Sequence, residues 1–172
     1  MQRLTLFSVL LISAVALTQA QESALSPPAS VSVELKGKQV KIDYCRPSMR
    51  GRKIVGGLVP YGTVWRTGAN DATSLVTGID LFFGDAKVPA GKYTIYTLPA
   101  EDSWKLIINK QTGQWGTEYD ESQDLVRIDL SKSVLKSPIE QFTIKFDKTG
   151  GDKADLVMEW EKTRLVVPVR AQ

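Results

Sequence analysis

The chain has 172 residues, of which 42% are hydrophobic, 24% charged and 8% aromatic, the proportions of one ordinary globular domain. Its 22 Lys and Arg against 19 Asp and Glu give a formal charge of +3, well short of the basic excess of a dedicated nucleic-acid binder. There is no histidine and a single cysteine, Cys45, which excludes Ser-His-Asp and Cys-His catalysis, every His-ligated zinc or haem site, CxxC chemistry and an intrachain disulfide.

Residues 1–20 read MQRLTLFSVLLISAVALTQA. Arg3 supplies a positive start, and Leu4 to Leu17 form a nearly uncharged apolar run. That run has about the length of a signal-peptide core and is shorter than the roughly 20 residues of a membrane span. Thr18-Gln19-Ala20 puts small residues where signal peptidase needs them. The expectation is a cleaved signal helix, a mature chain from Gln21, and a periplasmic or extracellular destination. No cysteine follows to take a lipid, and no later apolar run is long enough to cross a membrane. Residues 21–30, QESALSPPAS, read as a linker, and 31–172 as a single domain.

From Val31 onward apolar residues alternate with a period of two: Val31, Val33 and Leu35; Val40, Ile42 and Tyr44; Tyr93, Ile95 and Thr97; Trp104, Leu106 and Ile108. The pattern continues at Val126, Ile128 and Leu130; Phe142, Ile144 and Phe146; Leu156, Met158 and Trp160; Leu165, Val167 and Val169. Turn signals separate the runs at Lys36-Gly37-Lys38, Gly84-Asp85, Pro89-Ala90-Gly91 and Thr149-Gly150-Gly151-Asp152. No 3.6-residue apolar period is sustained. The pattern predicts an all-β fold of roughly eight to eleven antiparallel strands, arranged as a β-sandwich of jelly-roll or Greek-key type. Trp104 and Trp160, in phase with apolar neighbours, belong to its core.

Two segments interrupt the alternation. Residues 46–62, RPSMRGRKIVGGLVPYG, gather Arg46, Arg50, Arg52 and Lys53 among glycines and prolines. Residues 111–124, QTGQWGTEYDESQD, carry Glu118, Asp120, Glu121 and Asp124. Loops of this length within a small domain are often functional.

The stretches Tyr44-Cys45-Arg46-Pro47, Gly51-Arg52-Lys53-Ile54, Gly56-Gly57-Leu58-Val59-Pro60-Tyr61-Gly62 and Val64-Trp65-Arg66-Thr67-Gly68-Ala69-Asn70 with Ala72-Thr73 resemble a bacterial family known as domain of unknown function 2911. Pro89-Ala90-Gly91-Lys92-Tyr93-Thr94-Ile95 and Gln114-Trp115-Gly116 are similar to it as well. The resemblance spans roughly residues 30–170. It implies exported, β-rich proteins of undetermined activity, transfers no catalytic residues, and implies a small residue more often than cysteine at position 45.

The residues themselves offer a candidate ligand site. Arginine's planar fork suits carboxylate, phosphate or sulfate, and an aromatic face can stack on a sugar ring. Arg46, Arg52, Trp65, Arg66, Asn70 and Trp115 are therefore the expected ligand-binding residues. The competing reading pairs the basic loop with the acidic one and packs both tryptophans against the core. Cys45 beside Arg46 misses the C-x5-R spacing of cysteine phosphatases and reads as a structural thiol. No spacing singles out a pair of carboxylates, a catalytic residue or a calcium loop. No cofactor and no metal are expected, and no nucleic acid. The expected partner is a small polar ligand, a glycan or an anionic group, bound without catalysis. A carboxylate-dependent hydrolase such as a glycosidase, or an envelope module that binds protein through a strand edge, are the alternatives. Intact-mass analysis of the secreted protein should give a chain that begins at or near Gln21; retention of Met1, or recovery only in membranes, would contradict the signal-peptide reading.

Overall fold

A computed structural model of the protein describes residues 25–172; the expected signal segment 1–20 lies outside these. Nine strands make one antiparallel sheet: β1 Pro28–Leu35, β2 Lys38–Cys45, β3 Ser74–Thr77, β4 Leu81–Phe83, β5 Ala86–Val88, β6 Gly91–Pro99, β7 Trp104–Asn109, β8 Asp124–Gly150 and β9 Lys153–Ala171. Their spatial order is β1-β2-β3-β6-β7-β8-β9-β4-β5. The all-β expectation holds, and a 3-10 turn at Glu121–Gln123 is the one named helical element among the described residues. No helix among them is long and apolar enough to cross a membrane.

Local chemistry accounts for the tight turns. The β1–β2 hairpin closes through Lys36-Gly37, with Leu35 opposite Lys38 and both loop residues at positive φ (49° and 68°). A two-residue hairpin loop with both residues left-handed matches the twist of its strands, and glycine takes the second place without strain. β1 begins at Pro28, so residues 28–30, expected to be linker, pair with β2 instead.

Hydrogen bonding runs through a single continuous sheet rather than dividing into two separately paired ones. β8 carries the continuity. Its first part pairs with β7, ending at Trp104 opposite Leu130, and its second part pairs with β9, starting at Ser131 opposite Val166. β1, at one end of the sheet order, lies against β8 and β9, so the sheet curls round one core. Leu35, Ile42, Leu75, Ile95, Leu106 and Ile128 share that core with Phe83, Phe142, Leu156, Trp160 and Val167. Trp104 and Trp160 are buried, as their phase requires.

Closure between β2 and β8 uses side chains as well as backbone. The β8–β9 register shifts between Val134 and Ile139 and again between Ile139 and Thr143, which frees part of β8's backbone. Residues 44–49 take it up. Met49 N–H donates to the Glu140 carbonyl (2.8 Å) and Phe142 N–H to the Pro47 carbonyl (2.9 Å). The Arg46 guanidinium donates to the Phe142 carbonyl (3.1 Å) and to Thr143 Oγ1 (2.7 Å). Tyr44 Oη accepts from Ile144 N–H (2.9 Å) and donates to the Ile144 carbonyl (3.3 Å), while its ring meets Phe142 edge-on. One phenol thus satisfies both backbone groups of a buried residue. Tyr44→Phe, which keeps the ring and strands both groups, should lower unfolding free energy by about 1–3 kcal/mol. Urea denaturation with an unshifted midpoint would show that the seam does not need the hydroxyl.

Candidate functional site

Between the basic loop and the 111–124 loop the chain from Val64 to Thr73 runs beside β6. It is anchored at both ends. Trp65 and Thr97 exchange backbone hydrogen bonds (2.8 and 3.0 Å), and Ile95 N–H donates to the Thr73 carbonyl (2.8 Å). The stretch between these anchors is too long to stay extended and bulges: Thr67 has φ 52°, Gly68 159° and Asn70 57°. Thr67 is β-branched and fully buried, so its left-handed backbone costs on the order of 1–3 kcal/mol. Buried hydroxyls hold it there. Thr67 Oγ1 donates to the Trp65 carbonyl (3.2 Å) and lies 3.1 Å from Thr97 Oγ1, and Thr73 Oγ1 donates to the Thr67 carbonyl (2.8 Å). At Gly68 a Cβ would stand 2.9 Å from Thr73 Oγ1 and 3.1 Å from the Cys45 carbonyl.

This bulge is the floor of a cleft of about 410 Å³. Leu25, Ser48, Arg50, Arg52 and Leu58 form one wall, and Tyr96, Gly116, Thr117 and Tyr119 the other. Of the six residues expected from the sequence, Arg52, Trp65, Arg66 and Asn70 come together here. Arg46 does not: its guanidinium is spent on the β8 seam. Trp115 stands outside as well, 41% exposed, with its backbone bridged to Asp71. Trp65 joins cleft to core, stacked on Trp160 (centroids 5.6 Å apart) and edge-on to Phe142 (4.9 Å). Arg50, Leu58, Tyr96 and Tyr119 join the lining without having been expected. Tyr96 is out of phase with Tyr93, Ile95 and Thr97, which puts it on the other face of β6. The 111–124 loop covers that face and buries it.

The arginines differ in what holds them. Arg52 donates to the Met49 and Ser48 carbonyls (3.0 and 2.8 Å), and Arg50 to the Leu25 carbonyl (2.9 Å). Both are exposed, shape the loop and keep their charge. Arg66 is half-buried, and its stem is gripped by Gly116, where a Cβ would lie 2.7 Å from Arg66 Cδ and 2.6 Å from the Asn70 carbonyl. Among the described residues its guanidinium makes no hydrogen bond or ion pair, and no carboxylate lines the cleft.

Asp120, Glu121 and Asp124 of the acidic loop are engaged away from the cleft. Arg127 donates to Asp124 (2.9 Å) and Glu121 (2.7 Å), Asn109 donates to Asp124 (2.9 Å), and Asp120 caps the 3-10 turn through Ser122. Tyr119 Oη donates to Asp124 (2.7 Å) and accepts from Arg127 (2.9 Å). Burial and then that carboxylate push the Tyr119 phenol up to about 12. Tyr96 Oη accepts from Gln114 (3.0 Å), and burial raises its phenol too. Both hydroxyls are committed within the protein. No group of acids, cysteine and histidine among the described residues is placed to hold a metal.

Cys45 lies in a separate open groove with Asp43, Asp71 and Ser74. Burial pushes its thiol up, against a smaller lowering by a hydrogen bond from Asn70. A raised pKa means less thiolate at a given pH, and thiolate is the reactive form. At pH 8.5 the folded protein should therefore react with iodoacetamide more slowly than the urea-unfolded chain; equal rates would contradict the burial.

Residues 26–169, most of the chain, match the model of a family described as protein of unknown function (DUF2911). No match was found among the curated proteins or the solved structures. The stretches at 44–47 and 64–73 that resembled this family are the ones that close the sheet and floor the cleft, and the chain belongs to the DUF2911 family.

Proposed function

We propose that this is an exported protein that binds a small organic or inorganic anion, without catalysis, in the cleft floored by residues 64–70. The observation that carries the reading is Arg66: a half-buried guanidinium, its stem locked against Gly116, with no acceptor of its own in a cleft lined by two further arginines and no carboxylate. Removing an arginine from bulk water is unfavourable unless an acceptor replaces the water. A bound anion supplies one, at about 1.5–3 kcal/mol per charged hydrogen bond. Binding rather than turnover suits the lining. Its hydroxyls come from Ser26, Ser48, Thr117 and two tyrosines, and no neighbouring carboxylate, lysine or thiol lines the cleft to take a proton from them. A paired-carboxylate glycosidase needs two acids across the cleft, and the lining has none. Export rests on the Arg3, apolar and Thr18-Gln19-Ala20 pattern of the N-terminal sequence.

Titration with benzoate, acetate and inorganic phosphate at fixed ionic strength tests the reading. At least one should bind, and Arg66→Gln should weaken it by at least ~tenfold, the equivalent of one charged hydrogen bond, with the unliganded melting temperature within a few degrees of wild type. A variant that loses stability and keeps its affinity would make Arg66 a structural residue and end the proposal.

A further inference from the structure

Beyond the charge at Arg66, the rest of the lining bears on which anion fits. Leu25 and Leu58 are 41% and 46% exposed, and both line the cleft. The exposure of Leu58 is imposed by the local fold. Ile54 and Val59 anchor the loop in the core. Val59 N–H donates to the Ile54 carbonyl (2.9 Å), Gly56 N–H to the Val59 carbonyl (2.9 Å) and Leu58 N–H to the Lys53 carbonyl (3.1 Å). A Cβ on Gly57 would stand 2.5 Å from the Lys53 carbonyl, so only glycine lets this turn close and hold Leu58 outward. On the opposite wall the phenol oxygens of Tyr96 and Tyr119 are engaged by Gln114, Asp124 and Arg127. Tyr96 is buried, and the surface that Tyr119 has left to offer a ligand is ring.

A polyhydroxylated ligand would set hydroxyls against the exposed leucines and the Tyr119 ring, which return no hydrogen bond to them. An inorganic anion would satisfy Arg66 and leave water against leucine and aromatic surface in a space of about 410 Å³, the size that takes an organic molecule. We infer that the ligand is an amphipathic organic anion, with a carboxylate at Arg66 and an apolar or aromatic body lying along Leu58, Leu25 and the Tyr119 ring. This rests on the anion-binding reading above and adds the chemical class.

Calorimetric titration of the purified protein with acetate, octanoate, indole-3-acetate, glucuronate and inorganic phosphate, with phosphatidylglycerol vesicles as a separate arm, tests it. Octanoate or indole-3-acetate should bind one per chain and at least ~tenfold tighter than acetate, since burying an alkyl or aromatic body adds to a shared carboxylate contact. Leu58→Ser should weaken the tighter of these two about fivefold or more and leave acetate unchanged. Arg66→Gln should weaken both. Acetate or phosphate binding as tightly as the larger carboxylates, or glucuronate binding tightest, would overturn the amphipathic class and leave the anion site standing. Association with vesicles and with no soluble probe would overturn it in favour of a lipid surface. Failure of every probe, vesicles included, would remove the anion site and this inference together.

Discussion

The structure depends on a seam where strand pairing runs out. A sheet that curls round one core must close on itself or leave two edges of unpaired N–H and C=O groups, each costly if buried. Here the register shifts in β8 leave Glu140 to Phe142 without partners in β9, and the segment Tyr44–Met49 answers that stretch and the neighbouring Ile144. Tyr44 is the pivot, because its hydroxyl replaces a strand's N–H and C=O at once. Arg46 extends the same substitution by two residues. Everything that follows in the chain starts from that fixed point. The basic loop leaves the seam after Met49, and Arg50 and Arg52 follow directly in the lining of the cleft.

The floor of the cleft is built at a cost that the core repays. Thr67 sits in a backbone region unfavourable for a β-branched residue, and the surrounding contacts must over-determine it. The Trp65–Thr97 pair on one side and the Thr73–Ile95 bond on the other do so, with Trp65 packed against Trp160 and Phe142. Arg66 follows Trp65 directly, so the packing that holds the tryptophan also aims the arginine. This one dipeptide joins the packing of the core to the lining of the cleft. Changes at Phe142, which does not line the cleft, would then reach it through Trp65.

How much of this was legible in the sequence depended on the range of the interaction responsible. Period-two alternation reports a local geometry, and the all-β fold, the hairpin at Lys36-Gly37 and the burial of Trp104 and Trp160 were readable from it. The strands β3, β4 and β5 are only three or four residues long, too short for alternation to register. The joining of separate apolar runs into β8 and β9 depends on partners elsewhere in the chain. Arg46 and Arg66 look alike in sequence, each beside an aromatic or a glycine-rich stretch. One meets β8 at Phe142, nearly a hundred residues away, and the other meets Gly116. Nothing local distinguishes them, which is why Arg46 was grouped with the ligand residues and Arg50 was left out. Tyr96 was missed for a related reason: its face of β6 is covered by a loop that follows β7, and alternation treats that face as open.

The electrostatics of the cleft are likewise set by pairing rather than by composition. A formal charge of +3 over the whole chain makes only a weak field, and at physiological salt charges more than about 8 Å apart are largely screened. What matters is that three acids of the 111–124 loop are already taken, Asp124 and Glu121 by Arg127 and Asp120 by the turn it caps, and that none of the loop's acids lines the cleft. The expected neutralisation of one loop by the other does not occur, because Arg127 lies three residues from Asp124 on the same strand and pairs with it first. The three arginines then divide their work by depth. Arg50 and Arg52 are exposed, where a charge attracts an approaching anion but adds little to its retention. Arg66 is half-buried, where screening is weaker and each hydrogen bond to a charged partner counts for more. If the cleft takes an anion as proposed, capture at the rim and retention at the floor are separable, the first sensitive to salt and the second to the packing that holds Trp65.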